Sequence, residues 1–485
     1  MKSIISKFTH IEVSPYEKGE EPHLEKSLEV FDWISHKVKL SCYDVKNNVL
    51  YVPRSTSIIM LESMFHTNNL KDDSMYEIGK VNFQLKTKPR DEKQFKAIRF
   101  LCGVREFRSI SYSSRLNLEL DTGVGKTYCT IAALWHFKQK SAIIIHLNRL
   151  VKQWKDKILE YTDISEKEIY VITGRDSINK LKKKKDSLKQ YKIFLVSHRT
   201  LSSYVEKEGV DKLQELFEFL QIGIKVYDEA HLEFKNIMKI DLHTNVRKTF
   251  YLTATAGRSD KAENILYKRV LGSAPTLSIK IPQEERLTVA LILKINTLPS
   301  KIMEASLSTM RGLNSIKYLR YLFSEKSRKE LFRALTISLN TVENIEGQFT
   351  ILVGLKENTS IIKEFIEENF EKYKNDIGIV DSDIKPEDQE NEIEKKIIIT
   401  TYRSFGTGLD LSKLMVIIMI EPYSSEIVAR QLIGRLRNKK GSIFIEILDQ
   451  GVEKRLKQSE SVRDVISECN KKVIVRELKN ETYDE

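Results

Sequence analysis

With 485 residues, 41% of them hydrophobic, the chain is long enough for two or three domains with sizeable cores, which excludes a disordered protein. Lys and Arg number 80 against 68 Asp and Glu, a net charge of +12 with a sequence pI near 9.1, and this favours a polyanionic partner. No apolar run approaches the roughly 18 residues that span a bilayer, and Met1 to Lys7 has neither a long apolar stretch nor a small-residue cleavage site, so no membrane is expected and the expected location is the cytosol. Cys42, Cys102, Cys129 and Cys469 and the nine His fall at no metal-ligand spacing, which points to neither a zinc site nor a disulfide framework.

In the first 85 residues, Val38 to Tyr43, a turn at Lys46-Asn47-Asn48 and Val49 to Val52 predict a hairpin, followed by a short helix from Ser57 to Phe65. This region reads either as a nucleic-acid grip or as a packing extension. Beyond it, short apolar runs alternate with longer amphipathic stretches, which predicts parallel strands covered by helices. The first set is Ala142 to Ile145, Ile193 to Val196, Ile222 to Val226 and Phe250 to Leu252. The second is Phe349 to Val353, Ile397 to Ile399, Met415 to Ile420 and Ile443 to Leu448, preceded by an extended apolar segment from Leu287 to Ile295. The predicted fold is α/β: two RecA-like parallel-sheet domains with a small N-terminal accessory domain. The predicted boundaries are 1–85, 86–280 and 281–470, with a helical insertion near 301–345 and a C-terminal tail at 471–485.

Two motifs carry the chemistry. Asp121-Thr122-Gly123-Val124-Gly125-Lys126-Thr127 is a glycine-rich phosphate loop: its backbone N–H groups approach phosphate oxygens, Lys126 adds positive charge and the Thr127 hydroxyl can ligate Mg²⁺. About a hundred residues later, Asp228-Glu229-Ala230-His231 closes an apolar strand; Asp228 can hold the same metal and Glu229 can orient and deprotonate the attacking water. Both motifs follow predicted buried strands, where α/β sheets bind their ligands. The chain therefore reads as an NTPase that uses Mg²⁺. Leu120 stands where such loops usually carry a small residue. The run Lys182 to Lys185 reads as a solvated face or a phosphate contact, and Asp388 with Glu394-Lys395-Lys396 only faintly mimics a nuclease signature and reads as a loop.

With these pieces in place, residues from about 86 to 450 resemble a superfamily 2 DNA helicase of the phage and viral type related to UvsW and the XPB-like group. The resemblance implies an adenine-reading Gln94, with Thr122, Gly123, Val124, Gly125, Lys126 and Thr127 around the phosphates. His146 to Trp154 is similar to motif Ia and Val196 to Leu201 to motif Ib, which implies nucleic-acid contacts from Arg149, Ser197 and Arg199. Thr253 and Thr255, in Leu252-Thr253-Ala254-Thr255, resemble the motif that links hydrolysis to strand movement. Thr401 with Ser404 to Asp410 resembles motif V, implying a nucleic-acid contact from Thr401 and nucleotide contacts from Gly408 and Asp410. Gln431 to Arg437 resembles motif VI, with Gln431 at the nucleotide and Arg435 or Arg437 as the arginine that stabilises charge on the transferring phosphoryl group. The expected function is an ATP-dependent helicase or translocase acting on nucleic acid, most of all duplex or branched DNA, in the host cytoplasm if the chain is phage or viral. An ATPase switch that unwinds nothing and the motor subunit of a restriction system are the alternatives.

Overall fold

A computed structural model of the chain describes residues 2–479 except 18, 20–23, 25–26, 33–35, 75–76, 147–148, 184, 255–260, 298–305, 310–311, 382–388, 390, 407–408, 410 and 421–424. It divides into two compact units, residues 1–280 and 281–485. Each is built on its own seven-stranded, wholly parallel sheet.

In the first unit the strands lie in the order Ile169–Ile172, Ile193–Ser197, Ser141–Ile145, Ile224–Tyr227, Lys248–Thr253, Arg115–Leu120 and Thr276–Ile279. In the second the order is Ile377–Val380, Ile397–Thr401, Gln348–Val353, Leu414–Met419, Ile443–Asp449, Val289–Ile295 and Lys472–Glu477. Numbered in chain order within its own sheet, each unit reads 3-4-2-5-6-1-7, so one topology occurs twice. The inner strands Ser141–Ile145, Ile193–Ser197, Ile224–Tyr227 and Lys248–Thr253 are buried along their whole length. Helices cover both faces of such a sheet, and continuous apolar runs are the result. The two predicted RecA-like sheets with a small N-terminal sheet are therefore the observed fold.

The first 85 residues differ in detail from the predicted hairpin. The turn at Asn47-Asn48, where both residues take positive φ, joins Asp44–Lys46 to Val49–Pro53. Val38 and its neighbours belong instead to a separate antiparallel ribbon of Glu29–Asp32 with Lys37–Ser41. The predicted helix is present at Ile58–Met64, capped by the Ser57 hydroxyl. The main N-terminal sheet has five strands, Asp44–Lys46, Val49–Pro53, His10–Ser14, Ser3–Ser6 and Leu70–Asp72. Its apolar face does not form a separate core: Ile4, Ile11, Val13, Leu50, Val52 and Leu61 share one cluster with Ile240, Val246, Leu266 and Tyr267 of the α/β layer. Polar ties reinforce the junction, from Phe8 N–H to Asn245 Oδ1 at 2.8 Å and from Ser114 Oγ to the Phe8 carbonyl at 2.6 Å.

Two further expectations change. The helical stretch near 301–345 supplies Ser315–Leu322 and Arg328–Thr341, which bury Tyr318, Leu319, Leu331 and Leu335 in the second unit's core; they are the crossover between that sheet's first two strands. The segment expected as a tail contains Lys472–Glu477, an edge strand paired with Val289–Ile295. Most of its residues are exposed, with only Val473 and Ile474 half-buried, which suits a sheet edge. Cys42, Cys102, Cys129 and Cys469 are buried, and none of them is in a disulfide. Among the described residues no helix is long and apolar enough to cross a membrane.

Candidate active site

The phosphate loop leaves strand Arg115–Leu120, sixth in the sheet, and enters helix Lys126–Phe137. Leu120 is the last residue of that strand and fully buried, so the residue that departs from the usual loop pattern belongs to the core and the turn begins at Asp121. Gly123 and Gly125 have φ of 90° and 109°, a backbone that side chains rarely adopt. At Gly125 a Cβ would also meet Gln94 Nε2 at 2.4 Å. No side chain caps the helix start at Gly125, which leaves its first N–H groups and the positive end of its dipole for an anion.

Gln94 braces this turn. Its Nε2 donates to the Val124 carbonyl at 2.8 Å, its Oε1 accepts from Arg90 N–H at 2.8 Å, and Arg90 Nη2 donates to the Gly123 carbonyl at 3.2 Å. Each end of the amide expected to read adenine thus makes a hydrogen bond within the protein, behind the loop, and the residue is buried. The structure leaves Thr122, Gly123 and Thr127 partly or fully exposed around the turn and buries Val124 beneath it.

Strand Ile224–Tyr227 delivers Asp228 and Glu229 beside this loop. Lys126 Nζ lies 3.0 Å from Glu229 Oε1, joining the two motifs across 103 residues of chain. Glu229 takes φ of 51°, which turns its carboxylate back toward the lysine, and its N–H donates to Asp228 Oδ1 at 3.1 Å. Asp228 Oδ2 accepts from Trp154 Nε1 at 2.8 Å. Burial, and then the adjacent Glu229 carboxylate, push the Asp228 carboxyl up to about 6, so its charge gains from a nearby cation. His231 Nδ1 is 3.4 Å from Glu229 Oε2 and 2.9 Å from Thr253 Oγ1, so the buried imidazole bridges the acidic step to the strand that ends at Thr253. Thr255 lies outside the described residues, as do Gly408 and Asp410.

The expected nucleic-acid residues separate into three cases. Arg149 opens helix Arg149–Tyr161, and its side chain lies outside the described set. Arg199 is exposed at the start of helix His198–Glu208. Ser197 is 1% exposed, and its Oγ accepts from Thr200 N–H at 3.1 Å as the cap of that helix. Thr401 ends the equivalent fourth strand of the second unit, and its Oγ1 accepts from Ser404 N–H at 3.3 Å in the same manner. Lys182 donates to Tyr204 Oη at 3.2 Å, so the basic run begins against an aromatic ring. Lys395 and Lys396 donate to the carbonyls of Asn375 and Ile345, which removes the nuclease-like reading; Asp388 lies outside the described residues.

In the second unit, Gln431 and Arg435 sit half-buried at the end of helix Glu426–Gly434. Arg437 is exposed with φ of 51°, in a turn that Asn438 ties down by accepting from Leu287 N–H at 2.7 Å and donating to the Glu285 carbonyl at 2.9 Å. The sequence after the second sheet's first strand, Asn296 to Lys301, carries no glycine-rich phosphate loop. Asp449, the last residue of strand Ile443–Asp449, accepts there from Thr297 N–H at 3.2 Å and Tyr318 Oη at 3.0 Å, and a packed polar network occupies the strand ends.

Sequence reasoning assigned no role to Trp154, although it closes the quoted motif Ia segment. An indole has a single N–H and rarely leaves it unpaired when buried, which was the available signal. Its partner, 74 residues away, had none.

Residues 86–258 match the family described as "Type III restriction enzyme, res subunit". Among curated proteins the chain is 26% identical over 152 residues to the DNA 3'-5' helicase XPB of Kineococcus radiotolerans, covering 31% of this chain and 25% of that one. It is 22% identical to helicase 161L of Invertebrate iridescent virus 6, covering 68% of this chain and 71% of that one. It is 23% identical to the ATP-dependent DNA helicase UvsW of Enterobacteria phage T4, covering 67% and 62%. The chain thus spans a quarter of the XPB-type relative and under two thirds of the phage one. A Saccharomyces cerevisiae Dbp5 variant bound to RNA and ADP BeF3 superimposes with a TM-score of 0.52 at 13% identity over 80% of this chain and 94% of that one, a likeness of fold alone. The resemblance to superfamily 2 helicases read from the motifs holds, at low identity.

Proposed function

We propose that this chain, a relative of the superfamily 2 helicases, is an ATP-dependent nucleic-acid motor that translocates along or unwinds DNA. The observation that carries the reading is the Lys126–Glu229 pair at 3.0 Å, which sets a phosphate-loop lysine against the proposed base at the carboxyl ends of two parallel strands with Lys248–Thr253 between them. In that reading the γ-phosphate of ATP takes Lys126 from Glu229, and the freed carboxylate accepts a proton from water. The water oxygen bonds to phosphorus as the bridging bond to ADP breaks, releasing ADP and phosphate.

The oxygen donors of Thr127 and Asp228 suit Mg²⁺, and the raised Asp228 carboxyl is the feature that a divalent cation would relieve. When bound, the ion neutralises phosphate charge. Arg435 or Arg437 is proposed to stabilise the transferring phosphoryl group, and Gly408, Asp410 and Gln431 to contact nucleotide. His231 and Thr253 are proposed to carry the change in Glu229 toward the strand end, where Thr255 follows. Arg149, Arg199 and Thr401 are proposed to meet the nucleic-acid backbone, an interaction with little base specificity. DNA is favoured over RNA because the phage and bacterial relatives are named as DNA helicases.

The test is phosphate release by the full chain with single-stranded, duplex and branched DNA beside matched RNA, followed by strand displacement. Turnover indifferent to every nucleic acid would sink the motor reading. Stimulation without displacement would favour the switch.

A further inference from the structure

Trp154 belongs to helix Arg149–Tyr161, which lies outside the two phosphate-site motifs yet touches both. Its ring is 3% exposed, and its one N–H is given to Asp228 Oδ2 at 2.8 Å. The other carboxylate oxygen accepts from Glu229 N–H at 3.1 Å, so Asp228 is held from two sides, once by its own loop and once by this helix. At its far end the helix places Tyr161 edge-on to Tyr128, with ring centroids 5.2 Å apart, and Tyr128 belongs to the helix that begins with Lys126 and Thr127. Leu150, Val151, Trp154 and Ile158 form its buried stripe, which packs the helix along one face. Its first residue is Arg149, about one and a half turns from Trp154.

We propose that Trp154 is a positioning residue that transmits strand occupancy to the hydrolytic site: nucleic acid held at the start of helix Arg149–Tyr161 shifts the helix, and the indole N–H carries the shift to the carboxylate of Asp228. The inference rests on the motor reading above. A rigid helix hydrogen-bonded to a charged acceptor suits this task, because such a bond is directional and is lost with a small displacement. The metal-holding role of Asp228 makes its orientation matter for turnover.

The test is Trp154→Phe in the full chain, which keeps an aromatic ring and removes the N–H. Phosphate release is measured with and without a saturating single-stranded oligonucleotide, and oligonucleotide affinity by fluorescence anisotropy. The expected result is a loss of about tenfold in the ratio of stimulated to unstimulated turnover, as for removal of one hydrogen bond to a charged group, with affinity within about twofold. An unchanged ratio overturns the proposal. Equal loss of both rates with a lowered Tm also overturns it, since packing alone would do that. A wild-type chain that no nucleic acid stimulates takes down the motor reading itself, and this proposal with it.

If the Phe variant does not fold, the double variant Trp33→Phe/Trp135→Phe leaves Trp154 as the last of the three tryptophans. Its emission should shift when oligonucleotide binds in the absence of nucleotide. A bound oligonucleotide with an unshifted spectrum overturns the proposal.

Discussion

Lys126 and Glu229 neutralise one another across 3.0 Å, so the site without nucleotide already holds the charge that a γ-phosphate would take over. Lys126→Ala should therefore lose hydrolysis by at least about a thousandfold, since charge stabilisation of the transferring group is the main catalytic term. Glu229→Gln should keep nucleotide affinity and lose turnover by about 10² to 10⁴, the usual worth of a general base. Phosphate release and titration with a fluorescent nucleotide check both. Normal turnover in the first variant removes the assignment, and loss of nucleotide binding in the second makes Glu229 structural.

Gln94 lies behind the phosphate loop with both ends of its amide engaged, so its contribution should be to loop shape and not to base choice. Gln94→Ala is expected to weaken ATP and GTP by a similar factor, about tenfold, from the loss of two buried hydrogen bonds. Competition titrations with the two nucleotides decide it. A selective loss of ATP would return Gln94 to the adenine.

Ser197 and Arg199 stand two residues apart and should behave differently. Ser197→Ala removes a helix cap and should lower stability by about 1 kcal/mol, without changing the salt dependence of nucleic-acid binding. Arg199→Ala should leave Tm alone and reduce the log–log salt slope by about 0.7 for a single strand. Thermal melts and anisotropy at several salt concentrations give both readings. A flattened slope in the serine variant would restore its expected contact.

The motifs were legible because their chemistry is local: loop glycines, Lys126, Asp228 and Glu229 each sit within a few residues of a strand end. The inner strands were legible because burial on both faces writes a continuous apolar run, as at Ile193–Ser197. Edge elements write a weaker pattern. Thr276–Ile279 alternates exposed and buried, and Lys472–Glu477 is mostly exposed, so neither stood out from a loop or a tail. Val38 to Tyr43 carried a strand pattern without naming its partner, because pairing with Glu29–Asp32 is set by the tertiary context. That Ser197 and Gln94 bond backbone groups is visible only in their hydrogen bonds, which no local sequence pattern records.

Glu446, in strand Ile443–Asp449 of the second unit, is fully buried, and burial pushes its carboxyl up to about 7 although Ser459 Oγ donates to it at 3.0 Å. Its ordinary value is 4.5, so between these values the folded state binds more protons than the unfolded one. Stability then falls as pH rises through that window, and above about 7 the full cost is present. Glu446→Gln should remove that cost, raising stability at pH 8 by at most about 3 kcal/mol and changing little near pH 4. Denaturant melts at the two pH values check it. Equal effects at both would show that the carboxyl does not titrate in this range.

Residues 1–85 contribute Ile4, Ile11, Val13, Leu50, Val52 and Leu61 to the first unit's own core, so their removal acts first on folding. Deletion would bare the surface that Val49–Pro53 covers on helix Phe234–Leu242, the helix that follows the Asp-Glu step. Buried side chains of this size stabilise by roughly 1.5 to 3 kcal/mol each, and several lost together exceed the margin of a typical domain. The truncated chain should be insoluble or should melt far below the full chain, with ATPase lost along with the fold. The grip reading is separable by Lys37→Ala/Lys71→Ala, two exposed positions on the N-terminal strands, which should leave Tm unchanged. If the region only packs, the duplex salt slope stays as in the parent. A slope lower by about 0.9 per lysine would show that the same strands also hold the backbone. A soluble, active deletion variant would show that the shared core is dispensable and that the N-terminal sheet is an appended module.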